Sequence, residues 1–455
     1  MNLESNSPNA QTPGLQTPDL RVIDWRQRSA AERQQLLRRP TSGLPGLTEA
    51  VAAIIARVRN GGDAALAELT RELDGVSPQT LEVSQAELQA AADGLDDGLR
   101  QAIGDAGQRI EAFHRADRPR DNRLETAPGL ICEVRYQPLD PVGLYIPGGS
   151  APLVSTVLML AIPAVLAGCR EIVMCSPPGR DGRIAGEVLA AASLCGVTRV
   201  FCVGGAQAVA ALAYGTGTIP RCAKLFGPGN AWVTEAKQQV SQDPLGAAID
   251  LPAGPSEVLV IADAGADPEH TAWDLLSQAE HGPDSQVILL TDSDALAAAV
   301  IAQLHSLVPT TPRAAILRHS LAAARIVRVQ DLEAALELAN EYAPEHLIIN
   351  TANADELAQR VRNAGSVFIG PWTPESLGDY CSGTNHVLPT YGWARSHGAL
   401  GVGDFMRRMT LQKASRAALA RVGPTAETLA TVEGLEAHRM AVRCRLETGN
   451  SEEPA

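Results

Sequence analysis

The chain has 455 residues, of which 45% are hydrophobic and 20% are charged, and its formal net charge is −14. This length exceeds what one ordinary hydrophobic core accommodates, so we expect two or more domains. A net acidic chain without a block of basic residues argues against nucleic acid as the main partner. The first residues lack a cationic stretch followed by an apolar core, so we expect no signal peptide and a cytoplasmic protein.

The eight cysteines form no Cys-x-x-Cys pair, and most lie inside apolar runs such as residues 200–203. We interpret them as buried, reduced thiols. The most apolar segment, residues 151–168, is interrupted by Pro152 and Pro163. Because a membrane span needs about 20 consecutive apolar residues, this segment is predicted to be a buried helix.

In chain order, the first 20 residues are poor in apolar anchors, and so are those from about residue 447 onward, which predicts a disordered lead and tail. Residues 48–114 carry Leu and Ile every three or four positions and are predicted to be helical, with Gly61-Gly62 and Gly75 as breaks. From residue 142 onward, short apolar strands alternate with helices. The predicted strands are 142–146, 171–175, 199–203, 258–262, 286–291, 324–329, 347–350 and 366–369, and the predicted helices are 184–194, 206–213, 231–240, 332–341 and 356–363.

This alternation is typical of parallel sheets covered by helices on both faces. We therefore predict an α/β fold with two Rossmann-like parallel-sheet domains and small helical domains at both termini. The first Rossmann-like domain is assigned to residues 21–141, with the N-terminal helices, together with residues 258–395. Residues 142–257 form the second, residues 396–446 form a small helical C-terminal domain, and residues 1–20 and 447–455 are the lead and the tail.

Three predicted strands run directly into glycine turns, at residues 146–150, 203–207 and 226–230. Where a strand ends and a helix begins, free backbone N–H groups and the helix dipole favour phosphate or another anion. None of the three is the GxGxxG fingerprint, and each one alone is equally explained as a simple change of chain direction. Three in successive βα units favour a shared crevice for a nucleotide-sized ligand.

Four of the nine histidines lie in distinctive surroundings. Gln278 and His281 are three residues apart, so on a helix they share a face and could bind one metal ion. A plain helix end before Gly282 also explains them. Glu345 and His346 offer two proton-transfer groups with ordinary pKa values of about 4.3 and about 6.5. An ordinary turn before a strand is the alternative there.

The other two histidines lie nearer the C-terminus. Residues 375–386 are rich in small polar side chains between two strand-like runs, which indicates a functional loop, although an ordinary surface loop remains open. In that loop Asp379 could bind a metal and His386 could bind a substrate. Glu433 and His438 are five residues apart, a spacing that suits one helical face poorly, so a solvated helix surface is the simpler interpretation.

Seven ordered motifs resemble histidinol dehydrogenase. They are residues 143–152 (GLYIPGGSAP), 204–208 (GGAQA), 226–230 (FGPGN), 252–257 (PAGPSE), 277–283 (SQAEHGP), 344–347 (PEHL) and 382–389 (SGTNHVLP), and the resemblance runs from about residue 23 to about residue 445. It implies a fold of the aldehyde dehydrogenase and histidinol dehydrogenase type. It also implies zinc-dependent oxidation of L-histidinol to L-histidine through L-histidinal with two NAD⁺, the last step of histidine biosynthesis.

The resemblance further implies roles for individual residues. The zinc ligands would be Gln278, His281, Asp379 and His438, the last supplied by the partner subunit of a homodimer, and the acid–base pair would be Glu345 and His346. Ser256, His386 and Glu433 would contact the substrate along with His346 and the zinc ligands, while Tyr145, Gln207 and Asn230 would contact NAD.

The residue types suit this chemistry, because histidinol carries an imidazole nitrogen and an amine that can both chelate a metal. Four protein ligands and two substrate nitrogens would give six-coordination, beyond the usual tetrahedral site. Three alternatives remain. One is a thiol nucleophile, Cys169 or Cys381, of the kind that aldehyde dehydrogenases use. The others are the same zinc machinery acting on another small alcohol, and a nucleotide-binding protein that has lost its metal site.

Overall fold

A computed structural model of the chain describes residues 18–39, 45–77, 80–148, 152–251 and 254–447. The predicted lead and tail lie outside these ranges except for residues 18–20 and 447. Gly149 and Ser150 of the first glycine turn also lie outside them.

Most predicted helices are present, but the predicted loop at residues 375–386 begins with a short helix and the helix predicted at 356–363 is shorter and begins earlier. The helices are α1 (Ala30–Leu36), α2 (Leu47–Leu73), α3 (Gln85–Asp93), α4 (Asp97–Ala116), α5 (Val154–Ala167), α6 (Gly186–Leu194), α7 (Gly205–Tyr214), α8 (Ala231–Gln242), α9 (Pro268–Ala279), α10 (Asp294–Leu307), α11 (Ala314–Ser320), α12 (Leu332–Tyr342), α13 (Ala354–Ala358), α14 (Glu375–Tyr380), α15 (Arg416–Val432) and α16 (Glu436–Glu447). Local chemistry fixes several starts: Ser84 and Glu87 form a capping box at α3, and the Asp267 side chain caps α9. Gly62, with φ 53°, interrupts α2 as predicted.

The strands are β1 (Val22–Asp24), β2 (Glu82–Val83), β3 (Asn122–Ala127), β4 (Leu130–Pro138), β5 (Val142–Tyr145), β6 (Ile172–Ser176), β7 (Arg199–Cys202), β8 (Lys224–Phe226), β9 (Ala248–Ile249), β10 (Glu257–Ala262), β11 (Gln286–Thr291), β12 (Arg325–Arg328), β13 (His346–Asn350), β14 (Ser366–Ile369) and β15 (Met406–Ala414). Within the described residues the first sheet has the order β1-β12-β11-β10-β13-β14 and is parallel throughout. The second has the order β2-β7-β6-β5-β8-β9 and is parallel except for β2.

These two sheets confirm the predicted α/β class. Strands β5, β6, β10, β11 and β13 are buried along their whole length because helices cover both faces of each sheet, which is why they read as continuous apolar runs. The strand order reverses between β5 and β8 in the second sheet and between β10 and β13 in the first. Such switch points open a crevice between the helices on the two sides.

The structure differs from the prediction in where the N-terminal helices pack. Helix α2 lies against α7 and α8 of the second sheet, where Val51 and Leu66 join the core around Leu212, and α4 packs on α5. Strand β2 extends the second sheet beside β7. Among the described residues of the N-terminal segment assigned to the first sheet, only β1 pairs with that sheet. The apolar stripes of α2 and α4 identify a buried face but not the surface that covers it.

A third sheet was not predicted. Strands β15, β4 and β3 form an antiparallel sheet, and β15 lies inside the C-terminal segment that was predicted to be wholly helical. Most of β15 is exposed, and its alternation of apolar and polar side chains is limited to Met409 and Leu411, too short a run to be recognised as a strand. Helices α15 and α16 follow it.

The carboxyl ends of the strands of the second sheet lie near the amino ends of the strands of the first. The chain leaves β9 at the carboxyl end of the second sheet and enters β10 at the amino end of the first through residues 250–256. Asn385, which follows α14, donates from Nδ2 to the carbonyl of Met159 in α5 at 2.7 Å. Helix α5 is buried as predicted, and among the described residues no helix is both long and apolar enough to cross a bilayer.

Candidate active site

The predicted acid–base pair lies at the amino-terminal edge of the first sheet, beside the switch point. His346 is the first residue of β13 and pairs with Val258, the second residue of β10. Helix α9 runs back against the strands, so Gln278 in its last turn and His281, two residues beyond its end, reach the same edge. Asp379 on α14 completes the group. Three separate βα segments therefore converge on one buried cluster.

Glu257 connects the two members of the acid–base pair through its backbone. Its N–H donates to Glu345 Oε2 at 2.7 Å, and its carbonyl oxygen lies 3.1 Å from His346 Nδ1. Glu345 and His346 are both buried, and their Oε2 and Nδ1 atoms are 3.7 Å apart. His346 Nε2 has no hydrogen-bond partner among the described residues and lies 3.6 Å from Asp379 Oδ1. Nε2 is thus the ring nitrogen left open to a substrate.

Metal-ligand atoms gather next to this pair. His281, Glu375 and Asp379 each offer one ligand atom, and these atoms lie within 4.8 Å of one another. The Gln278 amide lies between them, with Nε2 positioned to donate to Glu375 Oε1 at 2.9 Å and its oxygen facing His281 Nδ1 at 3.3 Å. Imidazole nitrogen with carboxylate and amide oxygen is a donor set that suits zinc and other borderline divalent cations.

The electrostatics of the cluster also fit a bound cation. Burial raises the pKa of Glu345 to about 8, and burial likewise raises the pKa of Glu375 to about 8. For His346, burial lowers the pKa, but the nearby carboxylates of Glu375, Glu345 and Asp379 outweigh it and raise the pKa to about 10. Several carboxyl groups thus share one poorly solvated volume, and a divalent cation there would compensate their charge.

His386 links this cluster to the second sheet. Its Nδ1 lies 2.8 Å from the carbonyl oxygen of Asp379, and its Nε2 lies 3.4 Å from Thr156 Oγ1 in the first turn of α5. Helix α5 follows β5, whose last residue is Tyr145. The buried cluster therefore lies beside the carboxyl edge of the second sheet, at the switch point between β5 and β8.

The three predicted cofactor residues all lie at that carboxyl edge. The Tyr145 hydroxyl accepts from the Gly205 N–H at 3.1 Å, and Asn230 caps α8 by accepting from the N–H groups of Trp232 and Val233. Gln207 in α7 is buried, with Nε2 3.4 Å from Asp74 Oδ2. Helix N-termini converging on a switch point form the usual crevice for a nucleotide.

Glycine is required at the end of β8, which borders this edge. Gly227, just after β8, has φ 121°, and a Cβ there would lie 2.1 Å from the carbonyl oxygen of Tyr145. No side chain fits so close to the neighbouring backbone, so the end of β8 can approach the end of β5 only with glycine. The glycine turn at residues 226–230 thus has a packing role as well as the predicted one.

Glu433 and His438 are not brought to this cluster within the chain. Both are exposed at the junction of α15 and α16, and among the described residues neither has a hydrogen bond or ion pair to any member of the cluster. The same hairpin exposes apolar side chains, namely Leu429, Val432, Leu435 and Met440. Ser256 immediately precedes β10, and its carbonyl oxygen accepts from the Gln286 N–H at 3.0 Å.

Three residues of the site were not singled out from the sequence. Glu375 lies four residues before Asp379, a spacing that places both on one face of α14 and could have suggested a shared site. Glu257 lay within a quoted motif without a role. Arg39, which forms an ion pair with Glu257, carried no local signal because its partner is 218 residues away in sequence.

A family model, two related proteins and one solved structure each match this chain over most of its length. A family model described as histidinol dehydrogenase matches residues 37–446. A histidinol dehydrogenase from Xylella fastidiosa is 55% identical over 94% of this chain and 99% of its own length, and one from Photobacterium profundum is 50% identical over 94% and 96%. The crystal structure of histidinol dehydrogenase from Elizabethkingia anophelis superposes with a TM-score of 0.90 at 42% identity and covers 94% of this chain and 98% of that one.

Proposed function

This chain belongs to the histidinol dehydrogenase family, whose zinc- and NAD-dependent enzymes oxidise histidinol to histidine in histidine biosynthesis, and we propose that the buried cluster around His346 carries out both oxidation steps. One observation supports this assignment above all. A buried carboxyl–imidazole pair, Glu345 and His346, adjoins a group of metal-ligand atoms and lies beside the carboxyl edge of the second sheet, where α5 begins. An alcohol-to-acid oxidation needs these three elements side by side.

Gln278, His281 and Asp379 would hold the zinc, with His438 of a second subunit as the fourth ligand. When bound, the metal orients L-histidinol through its imidazole and amine nitrogens. His386 is held by the Asp379 carbonyl at 2.8 Å and is therefore tied to the metal-binding helix α14, where we assign it, with Ser256, to the substrate. Glu433 of the second subunit would add a carboxylate contact to the substrate.

His346 acts as the base of the first oxidation. The carboxylates around His346 raise its pKa, so it acts as a base once a cation beside Asp379 compensates their charge and the ring is neutral. The Glu257 carbonyl at 3.1 Å and the Gln278 amide nitrogen at 2.9 Å hold the ring at Nδ1, and we assign Nε2, which has no hydrogen-bond partner among the described residues, to the alcohol proton. Nε2 takes the proton of the alcohol hydroxyl while the carbinol carbon gives up hydride, so the alcohol becomes L-histidinal. A positioned base of this kind contributes about 10²–10⁴ in rate.

Glu345 acts between the two oxidations. In its ionised form, which a cation bound beside it would favour, the Glu345 carboxylate takes a proton from water as the water oxygen bonds to the aldehyde carbon. The proton that His346 took from the alcohol passes to the former carbonyl oxygen, which completes the hydrate and frees His346. His346 next accepts a hydroxyl proton of the hydrate while the same carbon loses a second hydride, and the product is L-histidine. The two groups are 3.7 Å apart, so both reach one substrate carbon without a change of fold.

NAD supplies the hydride acceptor for each oxidation and would bind at the carboxyl edge of the second sheet. Tyr145, Gln207 and Asn230 line that edge, and the first turn of α5 faces His386 through Thr156 at 3.4 Å. The crevice and the buried cluster thus share a wall. Since the reaction consumes NAD⁺ and serves amino-acid biosynthesis, we propose that the protein works in the cytoplasm.

The stoichiometry of the reaction tests this function. NADH formed per L-histidinol consumed should be about two, should fall to zero after chelation and should return with zinc. Turnover that survives chelation but fails after thiol alkylation would instead favour a cysteine mechanism. Bound zinc with no turnover of L-histidinol would point to another small alcohol. Burial raises the pKa of Cys169 to about 12, so this thiol is a poor nucleophile at neutral pH.

We further propose that the active form is a homodimer whose sites are shared. The exposed apolar residues of the α15–α16 hairpin and the exposed His438 support this arrangement, because one chain leaves both uncovered. Mixed refolding of His438→Ala with His346→Asn, each inactive alone, should restore about a quarter of wild-type activity, since half the dimers are mixed and each mixed dimer has one intact site. No recovery on mixing would argue that each chain carries a complete site.

A further inference from the structure

We propose that Arg39 is a positioning residue for the Glu345–His346 pair, which it holds through Glu257 and through the turn that ends α12. This inference rests on the proposed function, because it assigns Arg39 to the same reaction. Arg39 follows α1 in the chain and is remote in sequence from every residue of the cluster. It touches neither the metal-ligand atoms nor the cofactor edge.

The first contact of Arg39 is with the Glu257 carboxylate. Nε donates to Oε1, and Nη2 donates to Oε2 at 2.9 Å, in side-by-side geometry. The side chains are 10% and 2% exposed, so this pair is shielded from water. Glu257 is the residue whose backbone N–H binds Glu345 and whose carbonyl lies against His346. A displacement of Glu257 would therefore shift both Glu345 and His346.

The second contact of Arg39 is with the opposite side of the pair. Nη2 also donates to the carbonyl oxygens of Tyr342 and Ala343, at 2.9 and 3.2 Å, and the guanidinium lies over the Tyr342 ring at 3.8 Å. Ala343 ends α12 with φ 55°, a left-handed conformation that costs energy for any residue with a Cβ. Glu345 follows two residues later. Arg39 thus fixes the start of β10 and the approach to β13 at the same time.

An arginine suits this position and a lysine does not. The planar guanidinium binds a carboxylate with two parallel N–H bonds, reaches carbonyls in the same plane and stacks on an aromatic face. An ammonium group can replace the charge but not this geometry. The Tyr391 N–H also donates to Glu257 Oε1 at 3.1 Å, so the carboxylate keeps one partner if Arg39 is replaced. The fold of the cluster should therefore survive the substitution while its geometry loosens.

The test uses the full-length zinc-loaded enzyme. In Arg39→Ala, kcat for L-histidinol and for L-histidinal should each fall about 10–100-fold, with KM for both substrates and for NAD within about twofold, because Arg39 contacts none of them. Arg39→Lys should recover only a minor part of the loss. Added guanidinium ion should partly rescue Arg39→Ala and leave Arg39→Lys unchanged. Arg38→Ala, which removes the neighbouring exposed side chain, is the matched control and should equal wild type.

Several results would overturn the inference. An Arg39→Ala enzyme with wild-type kcat would do so, and so would one in which KM alone rises. A loss that guanidinium does not rescue, matched by a fall in folded fraction or in zinc content, would make Arg39 merely structural. If Arg39→Ala does not fold, the same comparison is made with Arg39→Lys and with Glu257→Gln, whose kcat losses should coincide and should not add in the double variant.

A failure of the proposed function gives a different result. The wild-type enzyme itself would then leave L-histidinol unoxidised, whatever residue 39 is. The positioning role is then tested by comparing crystal structures of the wild-type protein and the Arg39→Ala variant. The inference requires the contact between His346 Nδ1 and the Glu257 carbonyl, 3.1 Å here, to be lost in the variant. Its retention would refute the inference.

Discussion

Replacement of Glu345 by glutamine should separate the two oxidation steps. In the folded chain Glu345 Oε2 accepts one hydrogen bond, from the Glu257 N–H at 2.7 Å, and the side chain is 8% exposed. A glutamine amide has nearly the same shape, and its oxygen can accept that same bond. Glu345→Gln should therefore fold as the wild type does, with a change in unfolding free energy below about 1 kcal/mol. What it removes is the carboxylate that takes a proton from water.

The expected kinetic loss is confined to the second step. Loss of a general base costs about 10²–10⁴ in rate, which corresponds to a barrier higher by about 3 to 5 kcal/mol. The first hydride transfer depends on His346 and should change by less than about tenfold. In a single turnover of L-histidinol, the Glu345→Gln enzyme should therefore form one NADH per site rapidly and the second far more slowly.

The assay follows NADH absorbance after rapid mixing, once with L-histidinol and once with L-histidinal. His346→Asn is the matched control, because the proposed base serves both steps and its loss should slow both. Equal losses on the two substrates in Glu345→Gln would refute the division of roles, as would an undiminished second step. A large fall in thermal stability would show instead that Glu345 serves chiefly to hold the fold.

Two further outcomes follow from buried ionisable groups. Burial raises the pKa values of Cys195, Cys202 and Cys222 to about 12, so iodoacetamide at neutral pH should leave these three thiols unmodified while it labels the exposed Cys444. Mass spectrometry of the digested protein measures this, and labelling of any of the three before Cys444 would contradict it. Burial also raises the pKa of Asp274 from 3.8 to about 7, so the folded chain binds this proton more tightly than the unfolded chain does, and stability should fall as the pH rises from about 4 to about 7. Asp274→Asn should flatten that part of the melting profile and gain on the order of 1 kcal/mol above pH 7; a parallel profile would show that the carboxyl is already well solvated.

The sheets could be predicted because their strands are buried on both faces. The run Gln286–Thr291 has four consecutive apolar residues and was located to the residue. The partly exposed strand Ser366–Ile369 was also located to the residue. Strand β15 was not recognised, because a mostly exposed strand leaves only a short pattern, here Met409 and Leu411, among frequent basic residues. The placement of α2 on the second sheet is likewise a matter of tertiary packing, which a helical period does not encode.

The site was predictable to the extent that its residues lie in ordered motifs. Gln278, His281, Glu345, His346 and Asp379 were identified through the resemblance, and the folded chain gathers them at one edge. Their spacing in the sequence was equally consistent with a helix end, a turn or a surface loop. The supporting residues are harder to find, because the Arg39–Glu257 pair joins positions 218 apart and only the fold brings them together.

The chemistry of the first sheet lies at the beginning of its strands, which leaves the far edge of that sheet unused. Strand β10 runs from Glu257 to Ala262, so the turns that follow β10 and β13, at residues 263–267 and 351–353, lie about 20 Å from the acid–base pair. These turns therefore offer attachment points for a fluorescent label or an inserted peptide. A probe placed there would report on the enzyme without entering the path of substrate, metal or coenzyme.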